Sequence, residues 1–343
     1  MKLDASLGTE GGYLRSVGGV ARAAEDLGFA GLWTSETKHD AFLPLAIAAN
    51  ETERIELGTS IAVAFSRSPM ETAQTAWDLQ DLSGGRFILG LGTQVKAHVK
   101  RRFSMPWDRP VARLRDYIGA VRAIWCSFQS GEPLSFKGEF YRHTLITPFF
   151  NPGPIEHPEI PVYIAGVNTN LARLAGELCD GLHVHPFHSP EYVRGTVKPA
   201  IAEGAEKEGR DPGEVELATA VFVITGESDG EIEEQREKMR AQISFYASTP
   251  TYRTVLEAHG WEKVGEELGK LARDKRWEEM PNLVTDEMLG AFAIEASPGE
   301  VGDALRERYE GLIDRVSLYT PFIPGQRDDF WRATVESVHA TER

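Results

Sequence analysis

The feature that most constrains this chain is an alternation. Eight short apolar runs, centred near residues 3, 32, 57, 88, 163, 182, 219 and 317, are nearly all separated by segments with helical apolar spacing. Short apolar runs bounded by glycine and polar residues read as buried strands, and strands that alternate with helices build a parallel sheet. Eight such units are the count of a TIM (β/α)8 barrel in the α/β class, whose chemistry gathers at the C-terminal ends of the strands. A doubly wound open sheet is the rival. Against it, the first run lacks the glycine fingerprint of a dinucleotide fold, while glycine-rich ends recur on the fourth and fifth runs.

Local signals fill in the units. Gly11 and Gly12 open a helical segment that carries Val17, Val20, Ala24 and Leu27 and is closed by Gly28. The second run ends in the polar series Glu36, Thr37, Lys38, His39 and Asp40 before a helix expected over 42–50, and the third run is expected over 54–64. Ser68 fits a helix N-cap and Pro69 the first helical position. In the fourth unit, Gly90 and Gly92 remove side chains where a backbone or ligand would come close, and Thr93 and Gln94 offer hydrogen bonds at the mouth. The same glycines would equally serve turning and packing alone. Residues 1–343 read as one barrel domain with insertions near 93–110, 130–160 and 247–296, and long connections of this kind are often binding loops.

Charge narrows the partners. Lys and Arg number 37 against 52 Asp and Glu, a net charge of −15, which argues against nucleic acid or an anionic membrane and for a small-molecule substrate. Lys96, His98, Lys100, Arg101 and Arg102 form the one dense basic cluster, suited to an anionic cofactor tail or substrate as well as to a solvated loop. Cys126 and Cys179 are expected to be two buried thiols in a reducing compartment. The first residues show no signal-peptide pattern and no run has the length of a membrane span, so a cytoplasmic location is expected.

Four ordered blocks then carry a resemblance: Ala24-Glu25-Asp26-Leu27-Gly28-Phe29-Ala30-Gly31-Leu32-Trp33, Glu53-Arg54-Ile55-Glu56-Leu57-Gly58-Thr59-Ser60, Ser83-Gly84-Gly85-Arg86-Phe87-Ile88-Leu89-Gly90-Leu91-Gly92-Thr93 and Pro161-Val162-Tyr163-Ile164-Ala165-Gly166. In these the chain resembles the bacterial-luciferase-like family of flavin- and deazaflavin-dependent oxidoreductases over nearly its full length. The resemblance implies a TIM barrel with insertions, coenzyme F420 as cofactor with FMN as the alternative, and hydride transfer to or from a small organic substrate. It also implies a homodimer. By residue, it places a non-proline cis peptide at Ser60-Ile61 behind the flavin ring, Gly92, Thr93 and Gln94 along the cofactor, and Ala165, Gly166 and Val167 as backbone donors to the phosphate of its tail. Glu36 matches an acid of the deazaflavin members.

Departures from that pattern bear on the catalytic groups. Thr37 stands where a histidine is expected and His39 lies two residues on, so Glu36, His39 and Gln94 are the catalytic candidates. Gln94 replaces a glutamate of some members and cannot transfer a proton as an acid. His183 and His185 share one strand face, with His188 nearby, as metal ligands would, which opens the alternative of a metal-dependent hydrolase. Metallohydrolase barrels of the amidohydrolase type are expected to carry such a pair on the first strand, where this chain has Asp4, Ala5 and Ser6. The metal assignment is therefore none. A flavin-binding protein without turnover is the third alternative.

Overall fold

In the computed structural model, which describes residues 1–8 and 13–340, all eight apolar runs are strands of one closed barrel. They are β1 (Lys2–Ser6), β2 (Gly31–Thr34), β3 (Glu56–Thr59), β4 (Phe87–Gly92), β5 (Val162–Gly166), β6 (Gly181–Val184), β7 (Glu216–Ile224) and β8 (Arg315–Leu318). Each pairs in parallel with the next, and β8 returns to β1 through Leu3 opposite Val316, so the barrel has no open edge. Gly11 and Gly12 lie outside the described residues.

The pleat sorts the side chains. Outward residues such as Leu3, Leu32, Leu57 and Leu89 join the large apolar core under the helices, whereas Trp33, Ile88, Tyr163 and Ala218 form a separate cluster inside the barrel. The helices begin and end where their local chemistry requires. Ser68 Oγ accepts the Glu71 amide at 3.1 Å ahead of the helix Pro69–Ser83, and Gly84 ends it at φ +64°, in the left-handed region that glycine enters freely.

Three local expectations are corrected. The run expected over 54–64 is interrupted: β3 stops at Thr59 and pairing with β4 resumes at Ala62–Val63, while the Ser60–Ile61 peptide between them is cis, as the resemblance implies. An additional short strand, Ala293–Glu295, pairs with the upper half of β7 within the last insertion. Cys179 is buried, with its thiol pushed up to about 12 by loss of solvent, but Cys126 is exposed. The helix Pro110–Ser130 turns Ile124, Trp125, Ser127 and Phe128 inward and leaves Cys126 in the gap between them. Among the described residues no helix is long and apolar enough to cross a membrane.

Candidate active site

The C-terminal strand ends surround a cavity of about 990 Å³. One wall is built by the ends of β3, β4 and β5, which contribute Ser60, Ile61, Gly92, Thr93, Gln94, Ala165, Gly166 and Val167. Its shape follows from two glycines. A Cβ at Gly90 would lie 1.7 Å from the Thr59 carbonyl oxygen, so only glycine lets β3 pass this close. Across that contact the Thr59 hydroxyl accepts the Gly90 amide at 2.9 Å and donates to the Gly90 carbonyl at 2.7 Å, replacing the ladder where β3 breaks off. Beyond it, the Ile61 side chain occupies the space a Cβ at Gly92 would need, 2.7 Å from its Cγ1 and Cδ1.

Glu36 grips this wall from behind. Its amide donates to the Ile61 carbonyl at 3.1 Å and its carboxylate accepts the Val63 amide at 2.7 Å. Arg67 donates to both carboxylate oxygens at 2.6 and 3.1 Å, and Asp40 adds a second ion pair to Arg67 at 3.3 Å. With both oxygens so engaged, Glu36 is buried and does not line the cavity; its neighbour Thr37 does. His39 is exposed and stacks on Tyr13 at 4.5 Å, outside the lining. Gln94 does line the cavity, at φ +58°, with its side-chain oxygen accepting the Val95 amide at 2.9 Å. The catalytic candidates are thus not gathered at one point.

The floor and the opposite wall come largely from residues that sequence reasoning missed. Trp33 donates from Nε1 to Asp4 at 2.8 Å, and the same carboxylate takes two hydrogen bonds from Arg315, whose guanidinium also lies 5.1 Å from the centre of the Trp33 ring. His183 meets Trp33 edge-on at 4.9 Å, and its Nδ1 stands 3.5 Å from Ser60 Oγ. Its Nε2 is buried and makes no well-formed hydrogen bond among the described residues, although the Thr59 carbonyl is near enough to favour the protonated ring. Burial, aided by the nearby Arg315 charge, drives its pKa down to about 3, so the ring is neutral at physiological pH.

His185 and His188 are neutral for the same reason, with burial lowering them to about 3 and about 4. His183 lies on β6 but His185 falls just past its end, and the two serve different surroundings: His183 packs among Trp33 and Tyr163, and His185 among Tyr246 and Tyr252. Among the described residues no group of three or more His, Cys, Asp or Glu side chains is placed to hold a metal ion. Tyr252 and Tyr319 complete this wall from the last insertion and from the end of β8.

The rim carries a capped helix N-terminus and the basic segment. Asn168 caps the helix Thr169–Leu178 by accepting the Leu171 amide at 3.2 Å, which sets the helix N-terminus directly behind Gly166 and Val167. The basic segment folds as a short helix, Lys96–Arg101, in which Lys96 lines the cavity and Val99 is buried. Arg102 follows it and donates to the Thr37 carbonyl, tying the two rim loops together.

Comparison with known proteins agrees with this architecture. The chain is 46% identical to an uncharacterized protein of Mycobacterium tuberculosis over 92% of both chains. It is 28% identical to the 5,10-methylenetetrahydromethanopterin reductase of Methanolobus tindarius over 89% of this chain and 90% of that one. In fold it resembles the coenzyme F420-dependent tetrahydromethanopterin reductase of Methanopyrus kandleri, with a TM-score of 0.79, 22% identity and coverage of 100% and 99% of the two chains. The sequence model described as luciferase-like monooxygenase matches residues 1–315, and the chain belongs to that family.

Proposed function

We propose that this protein is a coenzyme F420-dependent oxidoreductase that moves a hydride between the deazaflavin and a small organic substrate inside the barrel mouth. The observation that carries the reading is the two-sided cavity. Its volume, about 990 Å³, is at the upper end of the range for sites that enclose cofactor-sized ligands. One side is a backbone-rich wall of strand ends, and the other is aromatic and uncharged.

The residues present fit such a group. Ile61 and Gly92 offer an apolar surface for a ring system, and the buried Nε2 of His183, which makes no well-formed hydrogen bond among the described residues, is a polar atom open to a bound group. The amides behind Gly166 and Val167, at the N-terminus of the helix Thr169–Leu178, suit the phosphate of the tail, with Lys96 at the rim. When bound, the cofactor supplies the redox chemistry. The protein holds and orients it, excludes bulk water below the rim, and keeps His183 and His185 neutral, so that the positive charge described at the floor is that of Arg315, already matched by Asp4 and Glu56. The 28% identical methanopterin reductase supports this choice of reaction class.

Fluorescence titration tests the reading. Coenzyme F420 is expected to bind tightly and FMN poorly; tight FMN binding with no affinity for F420 would make the protein an FMN enzyme, and no affinity for either would sink the reading.

A further inference from the structure

The hydrogen bonds around His185 fix the direction in which a neighbouring tyrosine can give its proton. The backbone N–H of Phe187 donates to His185 Nδ1 at 3.0 Å, so Nδ1 is an acceptor and bears no hydrogen. In the neutral ring the hydrogen therefore sits on Nε2, 3.1 Å from the Tyr252 hydroxyl oxygen. Two donors cannot face each other, so His185 donates and Tyr252 accepts. Among the described residues the hydrogen of the Tyr252 hydroxyl then has no acceptor, and both residues line the cavity.

We propose that Tyr252 is the hydrogen-bond donor that holds the oxygen of a carbonyl substrate, or of the corresponding alcohol, with His185 as the positioning residue that orients its hydroxyl. This rests on the oxidoreductase reading above. Uncharged oxygen is the chemistry that fits: Tyr246, Tyr319 and Phe187 gather around the pair, and of the cations that line the cavity Lys96 sits at the rim and Arg315 is already ion-paired to Asp4. A carbonyl carbon that accepts hydride leaves growing negative charge on its oxygen, and a fixed O–H aimed at that oxygen stabilises it. The proposal concerns binding and polarisation, and Tyr252 keeps its proton in the bound state. Burial, with Tyr319 nearby, pushes the Tyr252 hydroxyl up to about 12, which agrees with a donor that does not ionise.

Two measurements test it without turnover. Nitrogen-15 NMR of histidine-labelled protein should show His185 neutral with its hydrogen on Nε2; a hydrogen on Nδ1 would overturn the assignment. Cyclohexanone labelled with carbon-13 at its carbonyl, titrated into protein holding oxidised F420, should bind with a downfield carbonyl shift. Tyr252→Phe keeps the ring packing and should weaken that binding roughly tenfold and abolish the shift, with F420 affinity unchanged. His185→Phe should reduce the shift without removing it. An unchanged shift in Tyr252→Phe, no shift in the wild type, or loss of F420 binding in Tyr252→Phe would each refute the proposal. Protein that fails to bind F420 yet shows a Tyr252-dependent ketone shift without it would sink the cofactor reading and keep this one.

Discussion

Arg315 closes the barrel on Asp4: across the seam between β8 and β1 its Nε and one terminal nitrogen reach both carboxylate oxygens, at 2.8 and 2.9 Å. Both side chains are essentially without solvent contact, at 0% and 1% exposure. A buried pair of this kind gives little net stability, but breaking it leaves a charge with nothing to face. Arg315→Met is therefore expected to cost about 3–5 kcal/mol in urea unfolding. Adding Asp4→Asn should recover part of that loss, because the amide needs no counter-charge; a double variant that loses the sum of the two single effects would contradict the coupling.

Acid should unfold the protein through its buried histidines. His183 and His188 are lowered by burial from an ordinary 6.5 to about 3 and about 4, so the unfolded chain binds protons that the native state refuses. Stability is fully present above the unfolded value and falls as pH drops below it, by about 1.4 kcal/mol per pH unit for each histidine. Urea midpoints at about pH 7 and about pH 5 measure this slope. His183→Gln should remove close to one proton from it.

The parts of the molecule that could be read in the sequence are those with local causes. Every barrel strand coincides with one of the eight short runs, the fourth and fifth with glycine at their ends, and the helix Pro69–Ser83 follows from Ser68, Pro69 and Gly84. The resemblance places the cis peptide at Ser60-Ile61, where the structure has it, but the residues by themselves give no sign that the strand breaks after Thr59, whose partner Gly90 lies 31 residues away. Glu36 was visible as an acid at a strand end, yet its partner Arg67 lies equally far along the chain, and only the fold shows the carboxylate turned onto Val63 and Arg67. Tyr252 and Tyr319 carry no local pattern at all. Asp4 and Arg315 did leave a signal: each is a charged residue next to buried apolar strand positions, Leu3 and Ala5 flanking Asp4 and Val316 following Arg315.

Glu36→Gln separates a scaffold from a base. As the clamp behind Ile61 and Val63, the amide would still accept the Val63 hydrogen bond but lose its ionic hold on Arg67, and stability should fall by about 1–3 kcal/mol. Coenzyme titration should show F420 affinity within about tenfold of the wild type, and turnover should stay well above the roughly 10²–10⁴-fold loss expected on removing a general base. Unchanged thermal stability with a loss of that size would return Glu36 to catalysis.

The two glycines of the fourth strand should respond in opposite ways to the same added methyl group. At Gly90 the new carbon would meet a backbone oxygen at 1.7 Å, and relief requires β3 itself to move, so Gly90→Ala should cost about 3 kcal/mol or more in unfolding. At Gly92 it would meet only the far end of the Ile61 side chain at 2.7 Å, which can rotate away. Gly92→Ala should therefore cost only about 1 kcal/mol of stability. Because Ile61 has nowhere to turn but the cavity it lines, the effect should appear as a loss of coenzyme affinity of about tenfold or more, about 1.4 kcal/mol. Ile61→Ala placed in the Gly92→Ala background removes the displaced carbons and should restore most of that affinity; if it does not, Gly92 contributes to the cofactor wall through its backbone and not through the room it leaves for Ile61.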